Sequence, residues 1–211
     1  MRLDKIASEA AAHRLLGGAL CLDFANTLNG HSRAAPHEYL LGYPDLVIWS
    51  RRSGILTDIE AERLLRLAEG NSRAATSAYK RAIELRETIF RVFSALALDK
   101  SPKSADIAAL TEARLDALNH STIDRTGDGY VVDWIDKSAL DRMLWPIALS
   151  AAELLTSPRL ARVRECEGDR CDWLFVDTSR NHLRRWCSMD ECGNRAKAQR
   201  FLARQRKRRT H

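Results

Sequence analysis

Four of the five cysteines lie close together in the chain, at Cys166, Cys171, Cys187 and Cys192, with the spacing C-x4-C-x15-C-x4-C. Two short pairs separated by a longer insert suit a tetrahedral metal site, because each short loop can close one edge of the tetrahedron. Four thiolates complete the coordination of Zn2+ and leave no position for a substrate, so the pattern predicts one structural zinc ion rather than a catalytic one. A redox-active or iron–sulfur site would use the same residues, and His182 between the two pairs could replace one ligand.

The beginning of the chain indicates the compartment. Its apolar residues are interrupted by Gly17, Gly18 and Asp23, so neither a signal peptide nor a membrane span is supported. We therefore expect a cytoplasmic protein in which the cysteines stay reduced, and two disulfides are disfavoured.

Positive charge is concentrated near the end of the chain. The 211 residues carry a net charge of +6, yet residues 156–211 alone hold 15 Lys and Arg against 7 Asp and Glu. The C-terminal sequence GNRAKAQRFLARQRKRRTH predicts a basic helix that Asn194 could cap. Ala198, Phe201, Leu202 and Gln205 share a less charged face that can pack against the protein, while the basic face meets phosphate. The charge suggests a polyanionic partner, with DNA as the expected one and RNA as the alternative. The candidate contact residues are Arg180, Arg184, Arg185, Arg195, Lys197, Arg200, Arg204, Lys207 and Arg208.

The elements that would hold these residues in place are mainly helical. Apolar residues between Pro44 and Ser53 suggest one helix. Apolar residues that recur at helical spacing predict three more, over residues 58–70, 73–98 and 104–119, and Thr57 is the predicted cap of the first of these.

The pattern changes after the third of these helices. Alternating residues around Gly127-Asp128-Gly129 predict a β-hairpin. A further helix is expected from Ser138 to Leu155, with a kink or break at Pro146. Trp173 to Val176, between the cysteines, is expected to form a short strand that covers the metal site.

The sequence Thr156-Ser157-Pro158 marks the boundary between two parts. Residues 1–157 predict a helical domain, and residues 158–211 predict the zinc module. The expected fold class is mainly α with a small β-hairpin, followed by a C-terminal four-cysteine zinc finger that ends in a basic helix. Because no low-complexity linker separates the parts, we expect them to be docked.

The N-terminal domain offers a hypothesis for ligand binding. Asp23, Asn26 and Arg33 could line a small-molecule pocket together with Arg86, which would make the protein a sensor of an effector. The alternative, which we favour, is that Asp23 and Asn26 only satisfy backbone groups, and Cys21 is expected to be a small buried hydrophobe. The sequence has no HExxH, GxSxG, GxGxxG or Walker motif, so we do not expect an enzyme.

Two stretches of the chain carry a family resemblance. The sequence WCSMDECGNRAKAQRFLARQRKR, with CDWLFVDTSRN ahead of it, resembles the CGNR zinc finger of bacterial proteins through Cys192-Gly193-Asn194-Arg195. The N-terminal GGALCLDFANTLNGHSR is similar to the start of the ABATE domain, which typically precedes that finger.

This resemblance implies a stress-responsive transcriptional regulator whose finger binds DNA. A zinc-based redox switch and an adaptor that binds RNA or protein remain alternatives. One finger supplies few contacts to a duplex, so a homodimer is also an expectation.

Overall fold

The computed structural model describes residues 8–31 and 35–209, without the side chains of residues 204 and 206–209. Within these residues the helices are α1 (Leu20–Ala25), α2 (Tyr43–Arg52), α3 (Asp58–Gly70), α4 (Ser72–Ala97), α5 (Ser104–Asn119), α6 (Leu144–Thr156) and α7 (Asn194–Arg209). The strands form three antiparallel pairs: β1 (Leu28–Asn29) with β2 (His37–Glu38), β3 (Ser121–Thr126) with β4 (Gly129–Trp134), and β5 (Val163–Glu165) with β6 (Leu174–Val176). The predicted fold class is confirmed. None of the described helices is both long and apolar enough to cross a bilayer.

Helices α3, α4 and α5 confirm the predicted spans to within one residue at each end. The start of α3 is a capping box, in which the Thr57 hydroxyl accepts from the backbone N–H of Glu60 at 3.3 Å. The Glu60 carboxylate accepts from the backbone N–H of Thr57 in return, at 2.8 Å. Asn71 caps α4 by accepting from the Ala74 backbone N–H at 3.1 Å. Each cap satisfies backbone donors that the first helical turn cannot pair internally.

The short helix α1 lies at the centre of the main core. Five of its six residues are buried, among them Cys21, Leu22 and Phe24, and it packs against both α4 and α6. The Phe24 ring lies 5.2 Å from the ring of Trp49 on α2. Cys21 is fully buried, which confirms it as a small core hydrophobe, and burial raises the pKa of its thiol to about 12.

The predicted β-hairpin is also confirmed. Its register pairs Thr126 with Gly129 next to the turn and Ser121 with Trp134 at the base. At the base, the Trp134 ring lies 5.4 Å from that of Trp145 on α6. The hairpin is thus fixed to the helical body at its base.

Helix α6 begins later than predicted. It starts at Leu144 rather than at Ser138, and the preceding residues form turns. Pro146 is therefore the third residue of the helix, where a backbone N–H has no intrahelical acceptor, so the proline fits without the predicted kink.

The strand pair β5–β6 joins the C-terminal part of the chain to the main core. The short strand predicted near Trp173 is present as β6, and its pairing with β5 was not predicted. Val163, Leu174 and Val176 from this pair belong to the same buried cluster as the helices of the N-terminal domain. This strand pair of the zinc module therefore belongs to the core of the helical domain, whereas the four cysteines form a separate buried cluster with Trp173 and Phe175.

Candidate metal centre and basic helix

The four predicted ligands come together in space. The Sγ atoms of Cys166, Cys171, Cys187 and Cys192 all lie within 4.8 Å of one another, and all four residues are buried. Two of the separations are 3.6 Å and 3.7 Å. A tetrahedron with Zn–S bonds of about 2.3 Å has edges of about 3.8 Å, so the cluster fits one zinc ion. The cysteines are free thiols, and the exposed His182 is not part of the cluster.

Local backbone structure positions the first cysteine pair. The Cys166 backbone N–H donates to the carbonyl of Trp173 at 2.9 Å, which continues the pairing of β5 with β6. The Cys171 N–H then donates to the carbonyl of Gly168 at 2.9 Å and closes a tight turn. A Cβ at Gly168 would lie 3.0 Å from the Cys192 sulfur and 3.3 Å from the Cys171 Cβ. A side chain at position 168 would therefore crowd the first metal loop.

The second pair is held by the segment that enters α7. The Cys187 backbone N–H donates to the Cys166 sulfur at 3.3 Å, a contact that favours negative charge on that sulfur. Cys192 lies in a π-helical turn, Met189–Gly193, that runs directly into α7. Asn194 is therefore within a continuous helical segment rather than at its predicted cap. At Gly193 a Cβ would lie 2.8 Å from the Met189 sulfur, so the glycine permits close packing there.

The four sulfur atoms lie close enough to share their protons. Hydrogen bonds from the thiols of Cys171 and Cys187 hold the pKa of Cys166 well below its ordinary range. The pKa of Cys171 is raised, first because of its hydrogen bond with Cys166. Zinc would take the place of these shared protons, because thiolate is the form of cysteine that coordinates the metal. Bound zinc would supply four metal–sulfur bonds to a segment too small to fold on a core of its own.

Several contacts attach the metal site to the helical domain. The Asn26 side chain donates to the Leu174 carbonyl at 2.9 Å and accepts from the Leu174 backbone N–H at 2.8 Å. Next to the ligand Cys171, the carboxylate of Asp172 accepts from the Gly30 backbone N–H at 2.8 Å. These bonds join residues more than 140 positions apart in the chain.

The residues of the hypothetical ligand pocket have separate internal partners. Asp23 accepts from the Gly17 backbone N–H at 2.7 Å, and burial raises the pKa of its carboxyl group to about 6. Arg86 is 2% exposed and forms two 2.7 Å hydrogen bonds with the carboxylate of Glu38. Arg33 lies outside the described residues. Asp23, Asn26 and Arg86 thus each satisfy groups of the chain itself.

His13, which no sequence pattern singled out, bonds to the backbone of Asn26. The His13 side chain is buried, and its Nε2 donates to the carbonyl of Asn26 at 2.9 Å. Its Nδ1 accepts from the indole N–H of Trp49 at 3.3 Å, which fixes the neutral tautomer. Burial lowers the pKa of His13 to about 4. A lone histidine in an alanine-rich N-terminal segment gives no sequence signal for this role.

The predicted nucleic-acid contacts divide into groups by their environment. Arg184 is half-buried: its guanidinium lies 4.5 Å from the Phe175 ring centroid and donates to the carbonyls of Trp186 and Cys187. Arg185 pairs with Glu167 at the surface. The exposed residues of the set are Arg180, Arg185, Arg195, Lys197 and Arg200. Arg204, Lys207 and Arg208 belong to α7, but their side chains lie outside the described part of the structure.

Helix α7 does not bury the face that was expected to pack. Phe201 is 61% exposed and Leu202 is 54% exposed. The main contact of α7 in the described residues is with the π-helical turn that precedes it. Near its start, the Arg200 guanidinium lies 5.7 Å from the ring centroid of Trp186. The packing prediction for this helix was wrong, and the helix extends with most of its surface open to solvent.

Comparison with protein families gives two matches. A family model described as "ABATE: Putative stress-induced transcription regulator" matches residues 18–158, and a model described as "CGNR zinc finger" matches residues 162–205. A search among curated proteins finds no match to the chain.

Proposed function

The chain belongs to the ABATE family and carries a C-terminal CGNR zinc finger, and we propose on this basis that it is a zinc-dependent, DNA-binding regulator of transcription. The zinc has a structural role in this proposal, because four cysteines occupy every position of a tetrahedral ion. Neither family description names a catalytic activity, and the proposed function is accordingly not enzymatic. We place the regulator in the cytoplasm.

The observation that carries the proposal is a set of exposed cations directly after the metal site. Arg195, Lys197 and Arg200 lie on the first two turns of α7 and are exposed, and Arg180 is exposed on the preceding loop. No acidic residue follows Glu191 in the sequence. Exposed guanidinium and ammonium groups on one helix suit contacts to phosphate oxygens.

The spacing within α7 favours a phosphate backbone as the ligand. Lys197 and Arg200 are three residues apart, and Arg204 follows after four more, so the three positions share one side of the helix. Phe201 and Leu202 are exposed on another face of α7. If that face were turned toward the duplex, these two side chains would lie near the bases. Arg184 has a different role in this proposal, because its guanidinium already bonds within the finger.

The N-terminal domain is proposed to sense a small molecule and pass the signal to the finger. Two hydrogen bonds support this coupling: Asn26 bonds to Leu174, and Gly30 bonds to Asp172. A shift near α1 must therefore move the strand and loop that hold Cys171. A cleft of about 470 Å³ lies between the two parts, with His13, Tyr39, Trp173 and Arg195 among its lining residues. We place the effector in this cleft rather than beside Asp23 and Arg86.

A redox switch is the less favoured alternative. The four ligand residues are between 1% and 9% exposed, which limits the access of oxidants to the sulfur atoms, although Cys171, Cys187 and Cys192 line the cleft described above. This burial supports a structural site over a reactive one.

Salt-dependent DNA binding tests the proposal. The zinc-loaded chain should bind duplex DNA with an affinity that falls linearly with salt on a double-logarithmic plot. The double variant Lys197→Ala, Arg200→Ala should bind all sequences more weakly, and its slope should be shallower by about 1.8, because each lost phosphate contact removes about 0.9. Fluorescence anisotropy at several salt concentrations measures both quantities.

The matched control removes the same charge elsewhere. Arg73 and Lys80 are exposed on α4, and the variant Arg73→Ala, Lys80→Ala should leave the slope unchanged. Equal slopes for the α7 variant and the wild-type chain would remove α7 from the interface. Tighter binding to duplex RNA than to DNA would favour the RNA alternative.

A further inference from the structure

A cleft of about 390 Å³ opens on the surface of the helical domain where α4, α5 and α6 meet. We call it the α4–α5 cleft. Its apolar walls include Leu85 of α4, Ala113 of α5 and Ala148 of α6. It shares no lining residue with the cleft in which we place the effector, which lies beside the finger. The α4–α5 cleft is therefore a separate candidate site.

Ion pairs fix the register of the two helices beside this cleft. Arg81 of α4 pairs with Asp116 of α5 at 3.2 Å, and Arg91 pairs with Asp106 at 2.6 Å. The two arginines are ten residues apart, and so are the two aspartates, so the helices run antiparallel with turn facing turn. Charged residues on the turns between these ion pairs should therefore also meet across the seam.

On the next turn two acids meet instead of an acid and a base. Glu84 lies three residues after Arg81 on α4, and Glu112 lies four residues before Asp116 on α5. Both glutamates line the α4–α5 cleft and are exposed, and neither has an ion-pair partner in the described residues. Arg81, the one cation among the described lining residues, is already shared by Asp116 and Asp141. The cleft thus carries excess negative charge.

The floor of the cleft includes a buried donor that has no acceptor. Trp145 of α6 lines the cleft, is 2% exposed, and stacks on His120 with 4.4 Å between the ring centroids. Its indole N–H has no hydrogen-bond partner among the residues that the structure describes. A buried donor without a partner destabilises the fold, so an acceptor that reached this N–H from the cleft would be favoured.

We propose that the α4–α5 cleft binds a small organic amine that has an apolar body and an oxygen acceptor. The ammonium group bonds to the carboxylates of Glu84 and Glu112, the body lies against the apolar walls, and the oxygen accepts from the indole of Trp145. The site depends neither on DNA binding nor on the effector cleft.

A divalent metal ion fits this cleft less well than an amine. Two carboxylates supply too few of the oxygen ligands that Ca2+ or Mg2+ requires, and apolar walls add nothing to its binding. Within the described part of the chain, only the four cysteines have the spacing of a metal site. The apolar walls therefore favour an organic cation.

Isothermal titration calorimetry of the zinc-loaded full chain with tyramine tests the site. Tyramine carries an ammonium group, a planar apolar body and a phenolic oxygen. It should bind with one-to-one stoichiometry and a dissociation constant below about 1 mM. Tyrosol is the same molecule with a neutral hydroxyl in place of the ammonium group. It should bind at least tenfold more weakly, because it loses the charge-assisted bonds to the two carboxylates.

The double variant Glu84→Gln, Glu112→Gln should also bind tyramine at least tenfold more weakly, because both partners of the ammonium group lose their charge. Both positions are exposed, so circular dichroism and zinc content should be unchanged. The matched control Glu62→Gln, Glu153→Gln changes two helical glutamates that do not line this cleft. This control should bind tyramine like the wild-type chain.

The indole of Trp145 gives an independent readout. In a nitrogen–proton correlation spectrum of the chain, the indole resonance that is missing in Trp145→Phe identifies Trp145. Tyramine should move this resonance downfield, because the N–H gains an acceptor, and the same tyramine concentration should leave it in place in the Glu84→Gln, Glu112→Gln variant.

Four results would each overturn the proposal. These are no binding of tyramine at millimolar concentration, equal binding of tyrosol, wild-type affinity in the double glutamine variant, and an unmoved Trp145 resonance in the wild-type chain. Because no DNA is present in these measurements, their failure leaves the salt-slope test of DNA binding intact, and failure of that test leaves these results intact.

Discussion

Replacing Asn26 with leucine should reveal how strongly the zinc module is joined to the helical domain. Asn26 is 1% exposed, and its side chain satisfies both backbone groups of Leu174, which is itself fully buried. Leucine has the same branched arrangement of heavy atoms but is larger and has no polar atoms, so Asn26→Leu leaves one N–H and one C=O buried without partners. Each such group costs about 1–3 kcal/mol, and we expect a loss of about 3 kcal/mol in the free energy of unfolding. For a chain of this length that corresponds to a fall in Tm of roughly 6–12 °C.

Urea unfolding with two probes measures this loss. Far-UV circular dichroism follows the helices, and a chromophoric chelator reports zinc release from the finger. Since Val163, Leu174 and Val176 share the core of the helical domain, both probes should shift together to lower urea. The control Asn181→Leu changes an exposed asparagine in the finger and should alter the free energy of unfolding by less than about 0.5 kcal/mol. An Asn26→Leu chain as stable as wild type, or two probes that separate already in the wild-type chain, would refute the shared core.

Three further predictions concern the metal site and the buried carboxyl group. Gly168→Ala should weaken zinc affinity at least tenfold in a competition with a chelator, because its Cβ would crowd the Cys192 sulfur at 3.0 Å, whereas Gly70→Ala meets open space and should not. Cys187→Ser should lower the zinc content of purified protein, since a hydroxyl is a poor fourth ligand; a normal stoichiometry of one would remove Cys187 from the site. The pKa of Asp23 is raised to about 6 in the fold by burial, so its ionisation opposes folding and its stabilising protonation is lost as pH rises from about 4 through 6. Asp23→Asn should therefore gain about 2 kcal/mol relative to the wild-type chain between pH 4.5 and pH 7.5, and a difference that does not change with pH would contradict the assignment.

Local signals in the sequence account for the correct predictions. Thr57 and Glu60 form their capping box within four residues, and the turn at Gly127-Asp128 sets the hairpin register over a similar distance. The cysteine spacing defines the ligand set for the same reason, because each pair is closed by a short loop.

Errors and features that the sequence did not reveal arise where the deciding partner is distant or where one pattern fits two structures. Helical periodicity continues on both sides of Pro146, so it cannot distinguish a kinked helix from one that begins at Leu144. The bonds between Asn26 and Leu174 span 148 positions and leave no local trace. Arg184 looks like its neighbours in a run of basic residues, yet its guanidinium stacks on Phe175 within the finger. On α7, Phe201 resembles a core residue, but the described chain offers nothing to cover it.

The most direct test of the central claim is the retention of genomic DNA fragments by the full chain at two salt concentrations, with and without zinc. We predict that the zinc-loaded protein retains particular fragments at the higher salt concentration and that the chelated protein loses them, because the four cysteines hold the loop and helix that present Arg180, Arg195, Lys197 and Arg200. Retention that does not depend on zinc, or that disappears at the higher salt concentration without enrichment of any fragment, would contradict a sequence-specific zinc-finger regulator.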